Sequence, residues 1–551
     1  TKNCQTACRD CEQAVMDLNY VRAWLDADPD PETRSELQAL LDNDEQQQIE
    51  NLFSGRLSFG TAGLRAALGP GPMRMNRLTV SQTSKGLADF LNSNREQYLD
   101  TNDRLSIVIG YDGRKNSETF ARDSAEIMQA EGVHVYLFDE MVPTPLVAFA
   151  SKNLGSSAAV VITASHNPPE DNGYKVFLGG ITGHSQITPP QDSEIAAAIA
   201  SVAELNPSNR SSGYEMIGDE QTHAYLSRAS QLVDSVAESK LTIVHTAMHG
   251  VGWKMAEKVL RQAGFKNLHP VESQMLPDGT FPTVEFPNPE EPGAMDLAIE
   301  KAKLVNADLI LANDPDADRL AAGVKHNGHY QMLSGNQLGI LLADYVAKNH
   351  STGTLAASYV SSNQIIDIAK FYGLDYELTA TGFKWISKVD GLIFGFEEAL
   401  GYCVDPRFTA DKDGLTAAML ISVIADQLQK KGQTLIDRLE QIAEFTGFYE
   451  TDQISLRLAS NKHVAETVSK IKSSGELSVD GKTIEITDLV QINPRLDMLE
   501  IRFDENSKAL IRASGTEPKV KCYLETKGVN AKQAEEKLAE IRKSIEKILK
   551  Q

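Results

Sequence analysis

Apolar residues in much of this chain come in short β-branched bursts. These alternate with longer stretches whose apolar positions recur every three and four residues, the pattern of strands alternating with helices. Residues 105–109 (LSIVI) read as a strand, 117–130 as a helix and 133–138 as the next strand, which makes a βαβ unit. The same grammar recurs at 241–245 followed by 255–263, at 307–312, and from Leu355 through Ile365 to the burst 392–394. No residue-level repeat accompanies it, yet three α/β modules are expected. The tail differs. Residues 498–503 and 508–512 flank a polar 504–507 turn as a hairpin, and a further strand covers 520–524. A helix with its apolar stripe at Ala534, Leu538, Ile541 and Ile545 closes an α+β module.

The best linker is the polar segment 206–213 (NPSNRSSG), with softer boundaries near 325 and 447. The expected domains are therefore residues 1–210, which include an N-terminal helical region, then 211–325, 326–447 and 448–551. At the start, Cys4, Cys8 and Cys11 have the CxxxCxxC spacing of radical iron–sulfur enzymes. The pattern continues at helical spacing through Val15, Leu18 and Leu25, so one apolar helix face is the preferred reading. Cys522 alternates with Val520 and Leu524 and reads as a core residue, while Cys403 carries no signal.

Composition narrows the partners. A net charge of -22 over 551 residues argues against nucleic acid or anionic membrane as a bulk partner, so an anionic substrate must find a locally basic cleft. The first eleven residues hold no apolar signal core and no run of about 18 apolar residues occurs anywhere, so a soluble cytoplasmic protein is expected. Five cysteines in so long a chain do not make a disulfide framework.

Six loops could carry chemistry. In 160–177 (VVITASHNPPEDNGYKVF), Ser165 follows the buried burst 158–162, and Pro168 and Pro169 forbid an immediate helix. The serine is therefore expected on a loop at a strand's carboxyl end, where open α/β sheets bind ligands. In 313–319 (NDPDADR), Asp314, Asp316 and Asp318 alternate after an apolar strand in a segment that Pro315 keeps extended. They can converge on one hard cation such as Mg²⁺, the bland alternative being a solvated acidic turn, and Arg319 would then hold an anion nearby. Residues 395–402 (GFEEALGY) follow another apolar strand. Glu397 and Glu398 could accept from sugar hydroxyls or could simply open a solvated helix. Arg512, Ser514, Gly515 and Thr516 offer a donor fork, hydroxyls and close backbone approach suited to a phosphate monoester, in what is otherwise a hairpin connection. Residues 58–65 (SFGTAGLR) read equally well as a turn or as a functional loop, and Lys412 sits on a polar DKDG turn.

Other motifs fail. No G-x-S-x-G surrounds Ser165, His166 is badly placed for a triad, Gly481-Lys-Thr483 lacks its upstream glycine by one position, and no dinucleotide fingerprint follows a strand. A serine, a metal loop and separate basic loops are the parts for phosphoryl transfer.

In this order the four loops TASHNP, DPDADR, GFEE and RASGTEP resemble the α-D-phosphohexomutase superfamily of phosphoglucomutases and phosphomannomutases, over about residues 45–551. The resemblance implies three α/β domains with mixed sheets and a C-terminal α+β domain like the TATA-box-binding protein. It implies a phosphosugar mutase that passes through a hexose 1,6-bisphosphate, glucose first and mannose next, with one Mg²⁺. Ser165 would carry the phosphoryl group and give a further metal ligand beside Asp314, Asp316 and Asp318. Lys175, Arg65 and Lys412 would do acid/base and charge work, and His166 would position. Arg319, Gly382, Lys384, Glu397, Glu398, Arg512, Ser514, Gly515, Thr516 and Lys519 would bind substrate. The partner would be a small phosphosugar, the oligomer a monomer or a dimer.

One position departs from the pattern. The common sugar loop reads Glu-x-Ser-Gly, whereas Leu400 stands here in the serine's place and Tyr402 lies beyond. With 246–250 (TAMHG), 286–291 (FPNPEE) and 381–386 (TGFKWI), this resembles the branch that holds bacterial phosphoglucomutases beside phosphopentomutases and bisphosphate synthases. A phosphatase with Asp314 as nucleophile and a non-catalytic phosphosugar-binding protein are the competing readings.

Overall fold

The computed structural model describes residues 17–236, 238–479, 482–514 and 518–549. They divide into two compact units. The first takes the described residues up to Val142, then Leu154–Gly183 and Ile187–Gly218. The second takes Pro143–Asn153, His184–Gln186 and the described residues from Asp219 onward.

In the first unit, β1 (Leu64–Ala67), β2 (Ser106–Tyr111), β3 (His134–Phe138), β4 (Ala158–Ile162), β5 (Asp171–Leu178) and β6 (Glu215–Ile217) lie in the order β1-β5-β4-β2-β3-β6. The pairs β4·β2, β2·β3 and β3·β6 are parallel, while β5 runs antiparallel to both β4 and β1. Every residue of β2 and β4 is buried, as expected for strands covered on both faces. Helix Ser117–Ala130 spans the residues that periodicity predicts.

The N-terminal helix is Leu18–Ala27, capped by the Asp17 carboxylate, and it buries Val21 and Trp24 against Leu37, Ile49 and Leu78. Leu18 is 47% exposed, so the expected stripe through Leu18 is rotated: the core face follows Val21 and Trp24, and Leu25 lies at its edge. Cys4, Cys8, Cys11 and Val15 lie outside the described residues. The 206–213 segment is pinned rather than loose. Arg210 bonds Asp123, Glu126 and Ser81, and the Asn206 amide donates to Ala27 O.

The second unit holds three sheets. The strands β7 (Ile243–Thr246), β8 (Leu268–Pro270), β9 (Leu309–Ala312), β10 (Ala321–His326) and β11 (His329–Met332) run in the order β11-β10-β9-β7-β8. Next, β12 (Thr354–Ser358), β13 (Asp375–Thr379), β14 (Leu392–Glu397) and β15 (Gly401–Cys403) run β13-β12-β14-β15. Both are mixed. Finally β16 (Phe448–Arg457), β17 (Glu476–Val479), β18 (Lys482–Asp488), β19 (Leu499–Asp504), β20 (Ser507–Ala513) and β21 (Lys519–Gly528) form an antiparallel sheet, ordered β16-β21-β20-β19-β18-β17. The hairpin closes at Asp504↔Ser507, Cys522 is buried within that sheet, and Ala534, Ile541 and Ile545 face it from helix Ala531–Leu549. The architecture is thus three mixed α/β sheets and one antiparallel α+β sheet.

The three mixed sheets share a device that the sequence does not display. In each, a parallel strand (β4, β9, β14) ends in a loop that returns along an antiparallel neighbour (β5, β10, β15). Each loop holds one non-glycine residue in the left-handed region: Ser165 at φ 53, Ala317 at φ 56 and Leu400 at φ 62. Such residues cost free energy and cluster where a loop must present a group in one orientation. Among the described residues, no helix is long and apolar enough to cross a membrane.

Candidate active site

Ser165 is 2% exposed and sits three residues beyond β4. Its backbone N–H donates to the Thr163 hydroxyl at 2.9 Å, and its Oγ lies 3.3 Å from His166 Nδ1. His166 is therefore a neighbour able to orient the serine hydroxyl. The loop itself is gripped by Arg114, which follows β2. Its guanidinium donates to four carbonyls: Ser165 O and Asn167 O at 2.6 Å, Pro168 O at 2.7 Å and Asp171 O at 2.9 Å. Five fixed donors make arginine the side chain for such a clamp. The two prolines bar a helix, but Arg114 sets the loop's shape. Sequence reasoning missed it, although a charged Asp-Gly-Arg run directly after a wholly buried strand was the available signal.

Lys175 lies on β5 opposite Val161 and is buried; Arg65 lies on β1 opposite Gly173. The glycine-rich 58–65 loop is a turn that leads directly into β1. Gly63 has φ +75, and a Cβ there would stand 1.9 Å from Tyr174 O, so only glycine lets the chain pass onto β1.

In the second unit, Asp314, Asp316 and Asp318 are buried to 1% exposure or less, and one oxygen of each falls within 4.8 Å of the others. The loop is not a solvated turn. It is built by its own bonds: Ala317 N–H to Asp314 O at 2.9 Å and Arg319 N–H to Asp314 Oδ1 at 3.0 Å. Three buried carboxylates converging with oxygen donors alone fit a hard divalent cation such as Mg²⁺. Behind the loop, Asn313 accepts from His245 Nε2 at 2.8 Å and donates to Arg319 O at 2.7 Å. Burial pushes the His245 imidazole down to about 4, so it is neutral and a plain donor. The loop after β7 approaches from the side: Val251 N–H donates to Pro315 O at 2.9 Å, and a Cβ on Gly250 would stand 2.3 Å from Pro315 Cα.

The 411–414 segment, expected as a polar turn, is buried. It contributes the cation that the carboxylates need. Lys412 Nζ lies 3.3 Å from Asp318 Oδ2 and 3.4 Å from Asp411 Oδ1. Burial would pull this ammonium down, but Asp318, Asp411 and Glu397 outweigh it and hold the charge well above the usual lysine range. Lys412 is thus a fixed cation beside Asp318 and Asp411. Asp413 caps the next helix through Leu415 and Thr416 N–H and accepts from Tyr225. Burial raises its carboxyl to about 6 against those bonds.

Glu397 ends β14, where burial raises its carboxyl against the pull of Lys412 and Arg319. Glu398 starts the following loop; it does not open a helix. The hydroxyls of Ser358 and Ser361 lie 3.0 and 3.2 Å from its Oε2, and its backbone N–H donates to Ser361 at 3.0 Å. Neither serine was a candidate from sequence. Arg319 donates to Ala399 O at 2.8 Å, and Leu320 N–H to Leu400 O at 3.0 Å, so the metal loop and the glutamate loop are tied together. Glu398, Ser361, Leu400, Lys508 and Tyr523 border a cavity of about 600 Å³. Gly382 (φ +109) precedes the short helix Phe383–Ile386 that carries Lys384.

Arg512 lies near the end of β20 opposite Lys521, and Ser514 N–H donates to Lys519 O at 2.8 Å to close the connection to β21. Gly515 and Thr516 lie outside the described residues.

A common rule emerges: residues at or just beyond the end of the neighbouring parallel strand brace each candidate loop. Arg114 after β2 braces the serine, Gly250 and Val251 after β7 brace the aspartates, and Ser358 at the end of β12 with Ser361 beyond it brace Glu398.

Comparison with known proteins agrees with this architecture. Residues 56–206, 223–328 and 334–445 match alpha/beta/alpha domains I, II and III described as phosphoglucomutase/phosphomannomutase, and 465–544 match the C-terminal domain of that description. A protein named "Probable phosphomannomutase" from Haemophilus influenzae is 44% identical over 485 residues, covering 87% of this chain and 98% of its own. The Homo sapiens phosphopentomutase is 33% identical over 93% of this chain and 92% of its own, and a Staphylococcus aureus phosphoglucomutase is 33% identical over 88% and 93%. Among solved structures, parafusin (phosphoglucomutase) from Paramecium superposes with a TM-score of 0.69 at 16% identity, covering 90% of this chain and 95% of that one.

Proposed function

Since the chain belongs to the phosphoglucomutase/phosphomannomutase family and is a phosphomutase, we propose that it interconverts hexose 1-phosphate and hexose 6-phosphate, with glucose the preferred sugar, by way of phosphorylated Ser165. In the forward step the Ser165 Oγ–P bond breaks as a P–O bond forms to the sugar's unphosphorylated hydroxyl; that hydroxyl gives its proton to a base and the departing Ser165 Oγ takes one from an acid. The product of that step is a 1,6-bisphosphate. It turns end for end, the other sugar O–P bond breaks as the Ser165 Oγ–P bond forms again, and the serine hydroxyl gives up its proton while the freed sugar oxygen gains one.

Asp314, Asp316 and Asp318 would hold Mg²⁺, which supplies charge neutralisation on the transferring group when bound. Arg114 keeps the serine loop in one conformation through the cycle. Lys412, held protonated by its acidic neighbours, serves as a fixed positive charge or proton donor, and Lys175 is the proton-transfer candidate on the serine side. Arg65 adds charge stabilisation. Arg512, Ser514 and Lys519, with Gly515 and Thr516, take the distal phosphate; Gly382, Lys384, Arg319 and Glu397 complete the substrate contacts.

The observation that carries the sugar reading is Glu398: its carboxylate is fixed by two serine hydroxyls at the edge of a cavity of about 600 Å³, which suits an acceptor of vicinal hydroxyls on a pyranose. Leu400 supports a second reading, phosphopentomutase or bisphosphate synthase, because the hydroxyl otherwise available at that position is missing. A coupled assay of glucose, mannose and ribose 1-phosphates with catalytic bisphosphate decides between them. The highest kcat/KM on glucose is expected, and the highest on ribose would transfer the assignment to the second reading. Ser165→Ala should abolish turnover with the fold retained. An acyl phosphate labile to hydroxylamine, in place of an alkali-labile phosphopeptide containing Ser165, would move the chemistry to Asp314.

A further inference from the structure

We infer that Thr144 is a positioning residue of the metal site, holding the Asp316 carboxylate in its cation-binding orientation. The inference rests on the reading of Asp314, Asp316 and Asp318 as ligands.

Thr144 is fully buried at the first position of helix Thr144–Asn153, and lies 172 residues before its partner. It holds Asp316 at two points. Its backbone N–H donates to Asp316 O at 2.9 Å, and its hydroxyl donates to Asp316 Oδ2 at 2.7 Å. Asp316 stands between Pro315 and Ala317, whose φ is 56, so its backbone is already committed and the main remaining freedom is in the side chain. The threonine hydroxyl removes that freedom. A carboxylate that must be frozen when a cation arrives binds it more weakly than one already oriented, and outer partners of ligating groups are typically worth about 10–100-fold in metal affinity.

A second contact of the same kind points to the same role for this stretch of chain. Gln186 Nε2 donates to Asp411 Oδ2 at 2.7 Å. The other oxygen of Asp411 lies 3.4 Å from Lys412 Nζ, and that ammonium is 3.3 Å from Asp318. The two short segments Pro143–Asn153 and His184–Gln186, which flank the serine loop in sequence, therefore each place a side chain behind the aspartate cluster. Thr144 is the more direct of the two, because it touches a ligand itself.

The test is a Mn²⁺ titration followed by electron paramagnetic resonance on the full chain, with Mg²⁺ competition, for wild type, Thr144→Val and Thr144→Ser. Valine keeps the shape and the backbone bond but deletes the hydroxyl. Thr144→Val should weaken Mn²⁺ binding by about 10–100-fold, while Thr144→Ser should bind like wild type. In kinetics, Thr144→Val should raise the Mg²⁺ concentration for half-maximal activity and leave kcat at saturating metal largely intact. Equal Mn²⁺ affinity in Thr144→Val and wild type would overturn the inference, as would a serine variant as weak as valine. If Thr144→Val does not fold, Thr144→Cys, which offers only a weak donor, must show the same weakening. Absence of Mn²⁺ binding by wild type would instead overturn the metal reading itself.

Discussion

The Arg114 guanidinium donates to Ser165 O at 2.6 Å, and the same fork reaches three further carbonyls of the loop. A lysine cannot reproduce four divergent bonds from one planar group. Arg114→Lys should therefore leave Ser165 chemically intact but misplaced, and a misplacement of about 1 Å is enough to cost roughly 10²-fold in turnover. Single-turnover kinetics and limited proteolysis within 163–171 should change together. Near-normal turnover with a protease-resistant loop would show that the clamp is dispensable.

Gly250→Ala would set a methyl group 2.3 Å from Pro315 Cα, a contact that only a backbone shift can relieve. Because Pro315 lies between Asp314 and Asp316, the shift reaches the carboxylates. Mg²⁺ activation should weaken by about tenfold or more, read as the metal concentration for half-maximal rate, while circular dichroism still reports a folded chain.

Ser361→Ala removes a hydroxyl that lies against both the carboxylate and the backbone N–H of Glu398. The loss of bonds to a charged acceptor, about 1.5–3 kcal/mol in scale, should appear chiefly as a raised KM for the sugar phosphate. Phosphorylation of Ser165 by the bisphosphate should proceed at a similar maximal rate. A change confined to kcat would place Glu398 outside sugar binding.

Asp413 titrates at about 6 in the folded chain because burial opposes its charge, against 3.8 for the ordinary group. The folded state therefore holds this proton more tightly than the unfolded one. The stabilising contribution is complete below about pH 4 and is lost as the pH rises through 6. Asp413→Asn keeps a capping oxygen without the charge. The variant should melt at or above the wild-type temperature at pH 7.5, and wild type should gain on it steadily down to pH 5. A constant difference across that range would contradict the raised value.

Much of this was legible in the chain itself. Helix Ser117–Ala130 and strand Ala158–Ile162 have the bounds that periodicity gives, because buried β-branched bursts and an amphipathic run leave little choice. The aspartate loop was legible because three acids spaced by two after a buried strand are a local pattern. The braces were not. Arg114 acts on a loop about fifty positions away, Ser358 and Ser361 on a glutamate about forty away, and Thr144 on an aspartate 172 away. Such contacts follow from sheet order, which no spacing along the chain encodes. The buried state of Lys412 was hidden for a related reason: DKDG is a surface composition, and only its ion pairs and its place at a helix start make burial tolerable.

The threonine that reaches Asp316 has a consequence for the order in which the chain folds as it is made. Thr144 leaves the ribosome 172 residues before its partner. At 5–20 residues per second, roughly 10–30 seconds pass before Asp316 exists to accept its hydroxyl. During that interval the early α/β sheet, with its Arg114 clamp, can close around Ser165 on its own contacts, while Pro143–Asn153 must wait for sequence still unmade. Nascent chains arrested before and after residue 316 should therefore differ in protease protection at 143–153 and not at 163–171.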